Sequence, residues 1–504
     1  MMQSRREISR GRPEVGERYA DDDDGVTIGI DIGTRSVKAI AVLNDGSVIA
    51  RSRVPHRLFT SAMGIFEHDA REAWVNGPLT AFKDIMGHLD NSPYSDVSIR
   101  GACVAAMAPS MCAVDAAGMP ISTGILYGDY RGGDYYTSAS PVSGEARGFL
   151  ESLINDHPDA YAYWPAQAVA NYALAGRAAI DSFTAIAHGP LSDGNSWDGD
   201  LLAGIGAGAS KMAVIEPAGH AVGGVLQGID DVSPVTGRQK GNESRDDIEA
   251  GSIVLASGLV DALGEQMAAG MLNDGDVLVV LGSTLLTWQR LPAWQAVNGL
   301  WSVPDLFNPD SGCLTGGASN AGGIFIDWVI DDLFGGGRLF GGGRRTSHRN
   351  GIDARSIPVW APYPRGERTP LHDPSRRAII SGLGLEHGQG ELIRAAYEAS
   401  GFVVRRNIEM AGYGASRILA TGGGINSDEW LQALADCTGL SVEVVANPDG
   451  AALGAAFMAR IACGLESAGA LPDNWMRVDR TVEPDPGWLG HCLRRYEVFM
   501  NLAS

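Results

Sequence analysis

The sequence predicts an α/β protein with two related domains, and three observations lead to this class. Strand-like and helix-like segments alternate from residue 26 onward, a pattern typical of sheets covered by helices. The chain has 504 residues, which exceeds the length that a single hydrophobic core usually organises. Residues 276–291 repeat the form of residues 26–42, an apolar strand, a turn of glycine and hydroxyl residues, and a second strand. We therefore expect two similar domains that face each other across a cleft.

The composition is that of a packed globular protein, with 45% hydrophobic and 20% charged residues. Sixty acidic against 39 basic residues give a net charge of -21, which argues against nucleic acid or an anionic membrane as the main partner. The six cysteines form no CxxC pair, so we expect reduced thiols and no zinc site. We expect neither a secretory signal nor a membrane span. The expected location is the cytoplasm.

The chain also contains segments that we expect to lie outside the packed elements. Residues 1–24 are rich in Arg, Glu and Asp and predict a disordered leader. The polar run 232–248 predicts an exposed loop, and the glycine-dense run 334–345 predicts a flexible excursion. The two domains are then expected to span residues 25–252 and 253–504.

The first domain is expected to open with an antiparallel meander, and not with a strand that leads into a helix. Apolar residues alternate with small or polar ones in 26–33 and again in 37–43, and an Asn-Asp-Gly turn follows. The apolar spacing in 69–89 predicts a helix. Residues 101–107 and 111–115 predict further buried strands.

Two turns carry residue types suited to phosphate binding. In the first, Asp31 can hold magnesium, Gly33 lets a phosphate approach the backbone, and Thr34 can donate a hydrogen bond. The alternative is a hairpin turn closed by an Asx bond. A second turn of the same kind consists of Gly282, Ser283 and Thr284. Two such turns on opposed domains could clamp a triphosphate, although the sequence has no Walker loop.

A third candidate lies within residues 418–445, which predict a strand, a glycine triplet, a helix and a second strand. The bare backbone of the triplet would let a flat adenosine lie against the turn, and Ser427 is expected to cap the helix. The triplet consists of Gly422, Gly423 and Gly424. A purely structural strand-to-helix turn is the alternative, because such turns often need positive φ.

Asp261 is the candidate for the chemical centre. It follows Gly258 by three residues and precedes a helix-forming run, so its carboxylate is expected in the first helical turn, where the helix dipole favours the ionised form. An ionised carboxylate can accept a proton from a sugar hydroxyl. The alternative is an aspartate that only caps the helix.

These features occur together with three stretches that resemble the FGGY carbohydrate kinases of the actin, hexokinase and Hsp70 ATPase superfamily. Residues 378–399 are similar to the family's C-terminal signature in spacing and residue type. Residues 361–377 resemble its Pro, Gly-Glu-Arg, Thr-Pro segment, and residues 448–459 resemble its closing Gly-Ala-rich helix. The resemblance extends over residues 26–466.

The resemblance implies two actin-like ATPase (ribonuclease H-like) domains around a nucleotide cleft, the N-terminal one binding sugar and the C-terminal one binding ATP. The three turns would be the family's two phosphate motifs and its adenosine motif. Asp261 falls at the position of the family's general base, and Asp31 with Asp261 would hold Mg²⁺. The implied partners are ATP and a sugar or polyol, and a homodimer is an open alternative to a monomer.

The resemblance also locates a sugar-binding strip. Asp115, Gly118, Tyr127, Asp129 and Arg131 resemble the family's Asp, Gly, then Trp-x-Asp-x-Arg strip, with Tyr127 in place of the more usual Trp. The implied substrate contacts within or beside this strip are those of Asp129 and Arg131, together with Asp261.

One stretch departs from the family at the sugar site. Pentulose kinases carry a Gln-Met-His-Gly run there and glycerol kinases an Arg-Glu pair, whereas this chain has Met107, Ala108, Pro109 and Ser110. We expect Pro109 and Ser110 to line the substrate site. The candidates to supply the missing polar contacts are Ser110, Glu67, His68 and Trp74, although an ordinary surface or packing role is the default expectation for each. A pentulose such as xylulose or ribulose is the first expected substrate, ahead of glycerol or a tetritol.

Two other classes of function are left open by the sequence. A regulatory protein could keep the ligand cleft without transferring phosphate, and the altered residues 107–110 favour this reading slightly. An actin-like assembly ATPase would carry similar nucleotide turns. The intact Asp31 and Asp261 argue against the first, and the signature in 378–399 argues against the second.

Overall fold

A computed structural model of the chain describes residues 25–61, 64–135, 144–226, 248, 251–333, 352–447, 449–471 and 475–503. The predicted leader, the glycine-dense run and the predicted polar loop except Ile248 lie outside these described residues.

Within the described residues, strands form two large sheets and three smaller ones. In the first half of the chain they are β1 (Val26–Ile32), β2 (Ser36–Val42), β3 (Val48–Pro55), β4 (Leu58–Thr60), β5 (Phe66–His68), β6 (Ile99–Ala106), β7 (Ser110–Val114), β8 (Gly124–Leu126), β9 (Ala162–Trp164), β10 (Ala179–Asp181), β11 (Val214–Glu216), β12 (Ala221–Gly224), β13 (Val254–Ala256) and β14 (Leu259–Val260). In the second half they are β15 (Asp276–Leu281), β16 (Leu285–Leu291), β17 (Trp301–Asp305), β18 (Asn308–Ser319), β19 (Val359–Ala361), β20 (Ile379–Ser381), β21 (Arg417–Thr421), β22 (Val442–Val445) and β23 (Val478–Val482).

The helices cover the sheets and lie between them. They are α1 (Gly77–Asp90), α2 (Glu145–Asp156), α3 (Ala166–Ala175), α4 (Ser182–Ile186), α5 (Gly199–Gly204), α6 (Asp261–Ala269), α7 (Gly323–Asp327), α8 (Gln389–Ala411), α9 (Asp428–Thr438), α10 (Gly450–Cys463) and α11 (Pro486–Ala503). The helix predicted over 69–89 is confirmed as α1 preceded by a π-helical turn, Arg71–Asn76.

The two large sheets share one plan, as the repeated strand-turn-strand pattern predicts. The first has the order β12-β13-β6-β1-β2-β3, with β14 also paired to β6. The second has the order β17-β18-β16-β15-β21-β22-β23. In each, a hairpin (β1 with β2, β15 with β16) lies beside a parallel strand (β6 or β21). The predicted opening meander and the α/β class are both confirmed.

A third sheet extends the first lobe, in the order β4-β5-β8-β7-β9. It contains the predicted strand at 111–115 and leads through β8 into Tyr127. We call it the acceptor-side sheet, because it carries the residues expected to contact sugar.

Helices α6 and α10 join the two lobes. Helix α10 packs against β1 and β6 of the first sheet and against α6. Gly29 of β1 lies so close to the backbone of Ala452 that no Cβ could fit between them. One apolar cluster combines residues of both large sheets with both helices, for example Cys103 and Leu278 around Leu263 and Leu453. Helix α10, which follows the second sheet's β22 in the chain, is therefore part of the core beneath the first sheet.

The predicted division at residue 252 falls between β12 and β13, which are hydrogen-bonded neighbours in one sheet. Strand β14 extends that sheet to Val260. We propose instead that the division lies between α6 and β15.

Candidate functional site

The first turn joins β1 to β2 at the carboxyl end of β1. It is closed by the Gly33 amide, which donates to the Ser36 carbonyl at 3.1 Å. The Lys38 Nζ lies 3.5 Å from Oδ2 of Asp31. Burial raises the pKa of the Asp31 carboxyl, with Lys38 acting in the opposite direction, and Asp31 in turn raises the pKa of Lys38. A carboxylate and a cation are thus held together beside the turn.

The second turn and the glycine triplet lie side by side at one edge of the second sheet. Strands β15 and β21 are parallel neighbours, with Val280 opposite Thr421, so their carboxyl ends meet at the same edge. The amide of Gly323 at the start of α7 donates to the Gly282 carbonyl at 2.8 Å. Gly422 has φ +89, and a Cβ there would lie 2.9 Å from the Leu281 carbonyl oxygen. This position needs glycine for both conformation and space.

The elements predicted around the triplet are confirmed. Strand β21, a 3₁₀ turn (Gly423–Asn426), helix α9 and strand β22 follow in order. Ser427 caps α9, since its side chain accepts a hydrogen bond from the Trp430 amide at 3.2 Å.

Sheet register brings Asp261 to the first turn. Asp31 and Leu259 both pair with Ala105, on opposite sides of β6. The next residues of the two strands, Ile32 and Val260, both pair with Ala106. Asp261 is therefore the first residue beyond β14, at the edge where β1 ends one residue after Asp31. It begins α6, as predicted, and its Oδ1 accepts a hydrogen bond from the Ala262 amide at 2.7 Å.

Asp261 has the electrostatics of a base that works near neutral pH. Burial raises the pKa of its carboxyl to about 7, and the negative charges of Asp31 and Glu265 act in the same direction. A carboxyl with this pKa is half ionised near pH 7, where general bases are most effective.

Glu265, one helical turn beyond Asp261, belongs to the same cluster and was missed by the sequence reasoning. Burial raises the pKa of its carboxyl to about 7, opposed by Lys38 and by hydrogen bonds from the Ala451 amide and the Thr421 hydroxyl. Glu265 thus lies between the first turn, the glycine triplet and the start of α10. The i, i+4 spacing from Asp261 is the signal that could have identified it.

The carboxylates around the first turn supply the type of ligand that a divalent cation prefers. The pKa values of Asp31, Asp261 and Glu265 are all raised, and Asp449 adds negative charge next to Asp31. Oε2 of Glu265 is buried and has no hydrogen-bond partner among the described residues. Carboxylate oxygens are the ligands that magnesium takes, and a cation here would favour the ionised forms.

The polar residues of the acceptor-side sheet and of the strip that are predicted to contact substrate are hydrogen-bonded to other residues of the protein. Asp129 accepts hydrogen bonds from the Phe66 amide at 2.7 Å and from Arg131 Nε at 2.7 Å, and Arg131 Nη2 donates to Glu67 at 2.5 Å. The buried Ser110 hydroxyl donates to the Met107 carbonyl at 3.0 Å and accepts from an amide of α3 at 3.2 Å. These bonds stabilise the wall of the acceptor side. Direct contact of these residues with substrate stays a prediction.

Tyr127 connects this wall to the first turn. Its hydroxyl lies 3.2 Å from Oγ1 of Thr34. Across the cleft, the guanidinium of Arg368 lies 5.0 Å from the centre of the Tyr127 ring and 5.4 Å from that of Trp301. Burial and the charge of Arg368 lower the pKa of the neighbouring Arg365. The second lobe therefore brings two arginines close to Tyr127, whose hydroxyl contacts Thr34.

Two models of one protein family match the chain. The N-terminal domain of the FGGY family of carbohydrate kinases matches residues 26–141, and the C-terminal domain of that family matches residues 279–463. The chain belongs to the FGGY family of carbohydrate kinases. It is an ATP-dependent carbohydrate kinase with the two-domain actin-like ATPase fold, as the sequence motifs implied.

Individual relatives of this FGGY kinase are distant but span its length. A xylulose kinase from Staphylococcus epidermidis (strain ATCC 12228) is 23% identical over 487 residues, which cover 91% of this chain and 92% of the relative. A gluconokinase from Bacillus licheniformis is 24% identical and covers 87% of both. The crystal structure of xylulose kinase from Rhodospirillum rubrum aligns with a TM-score of 0.75 at 23% identity, over 95% of this chain and 98% of that chain.

Within the part of the chain that the structure describes, no helix has both the length and the apolar character needed to span a bilayer.

Proposed function

We propose that this kinase transfers the γ-phosphoryl group of ATP to a hydroxyl of a ketopentose such as xylulose. The observation that carries the proposal is the position of Asp261, a carboxylate with a pKa near 7 at the edge where the first phosphate turn begins. The xylulose kinases among its relatives support the choice of acceptor.

In the proposed reaction, Asp261 accepts a hydrogen bond from the acceptor hydroxyl and takes its proton as the oxygen attacks the γ-phosphorus. Thr34 and Lys38 bind phosphate oxygens, and the backbone amides of both turns add further donors. These groups are in place before reaction, so they can stabilise the charge that develops on the transferred group without reorganising.

Asp31 and Asp261, with Glu265 behind them, would hold magnesium directly or through water. Bound there, the ion would neutralise charge on the phosphate oxygens. Lys38 is coupled to this metal site, because its Nζ lies 3.5 Å from Oδ2 of Asp31.

We assign adenosine to the turn of Gly422, Gly423 and Gly424. The proximity of Gly422 to Leu281 supports a single nucleotide spanning the second and third turns. Closure of the lobes would then exclude water from the transferred phosphoryl group and limit ATP hydrolysis.

A sugar acid such as gluconate is a second candidate acceptor. Arg365 and Arg368 face Tyr127 from across the cleft, and guanidinium groups bind carboxylates well. Gluconokinases are also among the relatives. The apolar Met107, Ala108 and Pro109 do not favour either acceptor.

We also propose that the kinase acts in the cytoplasm, where its thiols would stay reduced. All six cysteines are free and buried, which is consistent with that compartment.

A coupled assay of ADP release tests the substrate assignment. The acceptors to compare are xylulose, ribulose, gluconate, glycerol and erythritol, with the phosphorylated product identified by mass. We expect the highest kcat/KM with a ketopentose, and Asp261→Asn should lose turnover with every acceptor. Acceptor-independent ADP release that none of these compounds stimulates would contradict the proposal.

A further inference from the structure

The first phosphate turn is held from behind by a buried histidine and tryptophan. Nε2 of His68 lies 2.8 Å from the Thr34 carbonyl oxygen, and Nε1 of Trp74 donates to Nδ1 of His68 at 3.1 Å. An indole N–H can only donate, so Nδ1 must be the acceptor and the proton of the imidazole lies on Nε2. His68 therefore donates to the Thr34 carbonyl.

A second histidine contacts the preceding carbonyl. Nε2 of His56 lies 3.1 Å from the Gly33 oxygen, and the His56 and His68 rings meet edge to face, with centroids 4.4 Å apart. Since a carbonyl can only accept, His56 also donates. Two consecutive carbonyls of the turn are thus held on the same side by two imidazoles.

The geometry of the peptide bond gives these contacts a functional meaning. In a trans peptide the C=O and the following N–H point in opposite directions. Holding the Gly33 and Thr34 carbonyls on the side of the histidines directs the amides of Thr34 and Arg35 to the other side. Successive amides that point the same way form a concave site for an anion.

The histidine and tryptophan are fixed by the acceptor-side sheet. His68 ends β5, and both His68 and Trp74 have no exposed surface. The Trp74 ring lies directly on Gly124 of β8, where any Cβ would overlap the indole. Burial lowers the pKa of His68 to about 4, so the ring is neutral and keeps one proton for Thr34.

We propose that Trp74 and His68 are positioning residues, which orient the amides of the first phosphate turn for ATP and link that turn to the acceptor-side sheet. This role differs from both alternatives that the sequence offered for these side chains, contact with sugar and ordinary packing. The inference rests on the proposed phosphate role of the turn, and it extends that role to residues that contact neither substrate.

The test compares His68→Leu with His68→Gln, because the Gln amide can accept from Trp74 and donate to Thr34 as the imidazole does. We expect His68→Leu to lower kcat about 10- to 100-fold and to weaken ATP binding about tenfold, with adenosine binding unchanged. His68→Gln should restore both kcat and the ATP Kd to within about threefold. Calorimetric titration with ATP and with adenosine needs no turnover, so it still tests the inference if no acceptor is found.

Two further variants keep the test decisive. Trp74→Phe removes the N–H that fixes the tautomer, together with part of the buried ring, and it should weaken ATP binding while thermal unfolding confirms a folded protein. His387→Leu is the matched control, since His387 is also a histidine bonded to backbone but lies in the second lobe. There its Nδ1 accepts a hydrogen bond from the Gly384 amide at 2.8 Å. It should leave the ratio of ATP to adenosine affinity unchanged.

The inference is wrong if folded His68→Leu binds ATP like the wild type, or if Trp74→Phe leaves the ATP Kd unchanged. It is also wrong if His68→Gln is as impaired as His68→Leu, since the hydrogen bonds would then not be what matters. Loss of adenosine and ATP binding in equal measure would indicate a general loss of structure and would equally overturn it.

Discussion

Replacing Asp261 with Asn should remove most of the turnover and at the same time stabilise the folded protein. The Asp261 carboxyl has a pKa of about 7 in the folded state against an ordinary value of 3.8. The folded protein therefore binds this proton more tightly than the unfolded chain, and its stability falls as pH rises from 3.8 through 7. Above pH 7 the ionised Asp261 carboxylate lowers the stability of the folded protein by its full amount.

The size of the effect follows from the shift. About three pKa units correspond to about 4 kcal/mol at pH 8, and at pH 5 the same linkage gives about 2 kcal/mol. The Asp261 side chain is only half-buried at the cleft, so water screens part of the cost of its charge. We therefore expect the charge to cost about 2 kcal/mol of folding stability at pH 8, less than the unscreened value. Asn is neutral and can still accept from the Ala262 amide, so it should recover most of the cost.

The assay is chemical unfolding of wild type and Asp261→Asn at pH 8 and pH 5, in EDTA and without nucleotide. Asp428→Asn is the control, because Asp428 also begins a helix but is exposed and paired with Arg480. It should gain nothing. In parallel, Asp261→Asn should lower kcat about 100- to 10,000-fold. A variant that is less stable than wild type at pH 8, or whose gain does not shrink at pH 5, would refute the assigned environment of Asp261.

Three further predictions concern other parts of the site. Lys38→Met should weaken ATP binding about tenfold or more in calorimetry, because it removes a charge-assisted phosphate contact. The same variant should raise the pKa of Asp31 further. An unchanged Kd for ATP would exclude Lys38 from phosphate binding. Gly422→Ala, at φ +89 and with its Cβ 2.9 Å from a carbonyl, should raise KM for ATP and leave KM for the acceptor unchanged. Gly454→Val should destabilise the protein by about 1–3 kcal/mol in urea unfolding, since its Cβ would lie 2.6 Å from Cα of Gly264; full wild-type stability would show that the helices can separate there.

The local parts of the site could be predicted from the sequence. The turn after β1, the turn after β15 and the triplet after β21 each depend on a strand pattern and nearby glycines. Asp261 was found for a similar reason, since a helix start can be recognised from its own segment. Their assembly at adjacent sheet edges follows from the repeated topology, which the weak likeness between 26–42 and 276–291 already indicated.

The rest depends on side chains that meet only through tertiary structure. Nothing near His68 in sequence indicates that its ring reaches the carbonyl of Thr34. Asp129 was chosen by its place in the strip and Ser110 by its place in the stretch that departs from the family. Their hydrogen bonds turn inward because buried polar groups must find partners. The boundary near residue 252 failed to match the sheet because β13 and β14 follow a long polar segment that suggests a linker.

The strand alignment β14-β6-β1 constrains how this kinase can open. The proposed general base, Asp261, and the turn proposed to receive the γ-phosphate both follow strands of one hydrogen-bonded sheet, so no hinge between the lobes can pull them apart. What varies on opening is their distance from the second and third turns, on the other lobe. An open enzyme could therefore keep ATP bound by its adenosine end while the γ-phosphate is out of reach of the proton acceptor. A small molecule that held the cleft open would keep the enzyme in that inactive, ATP-bound form.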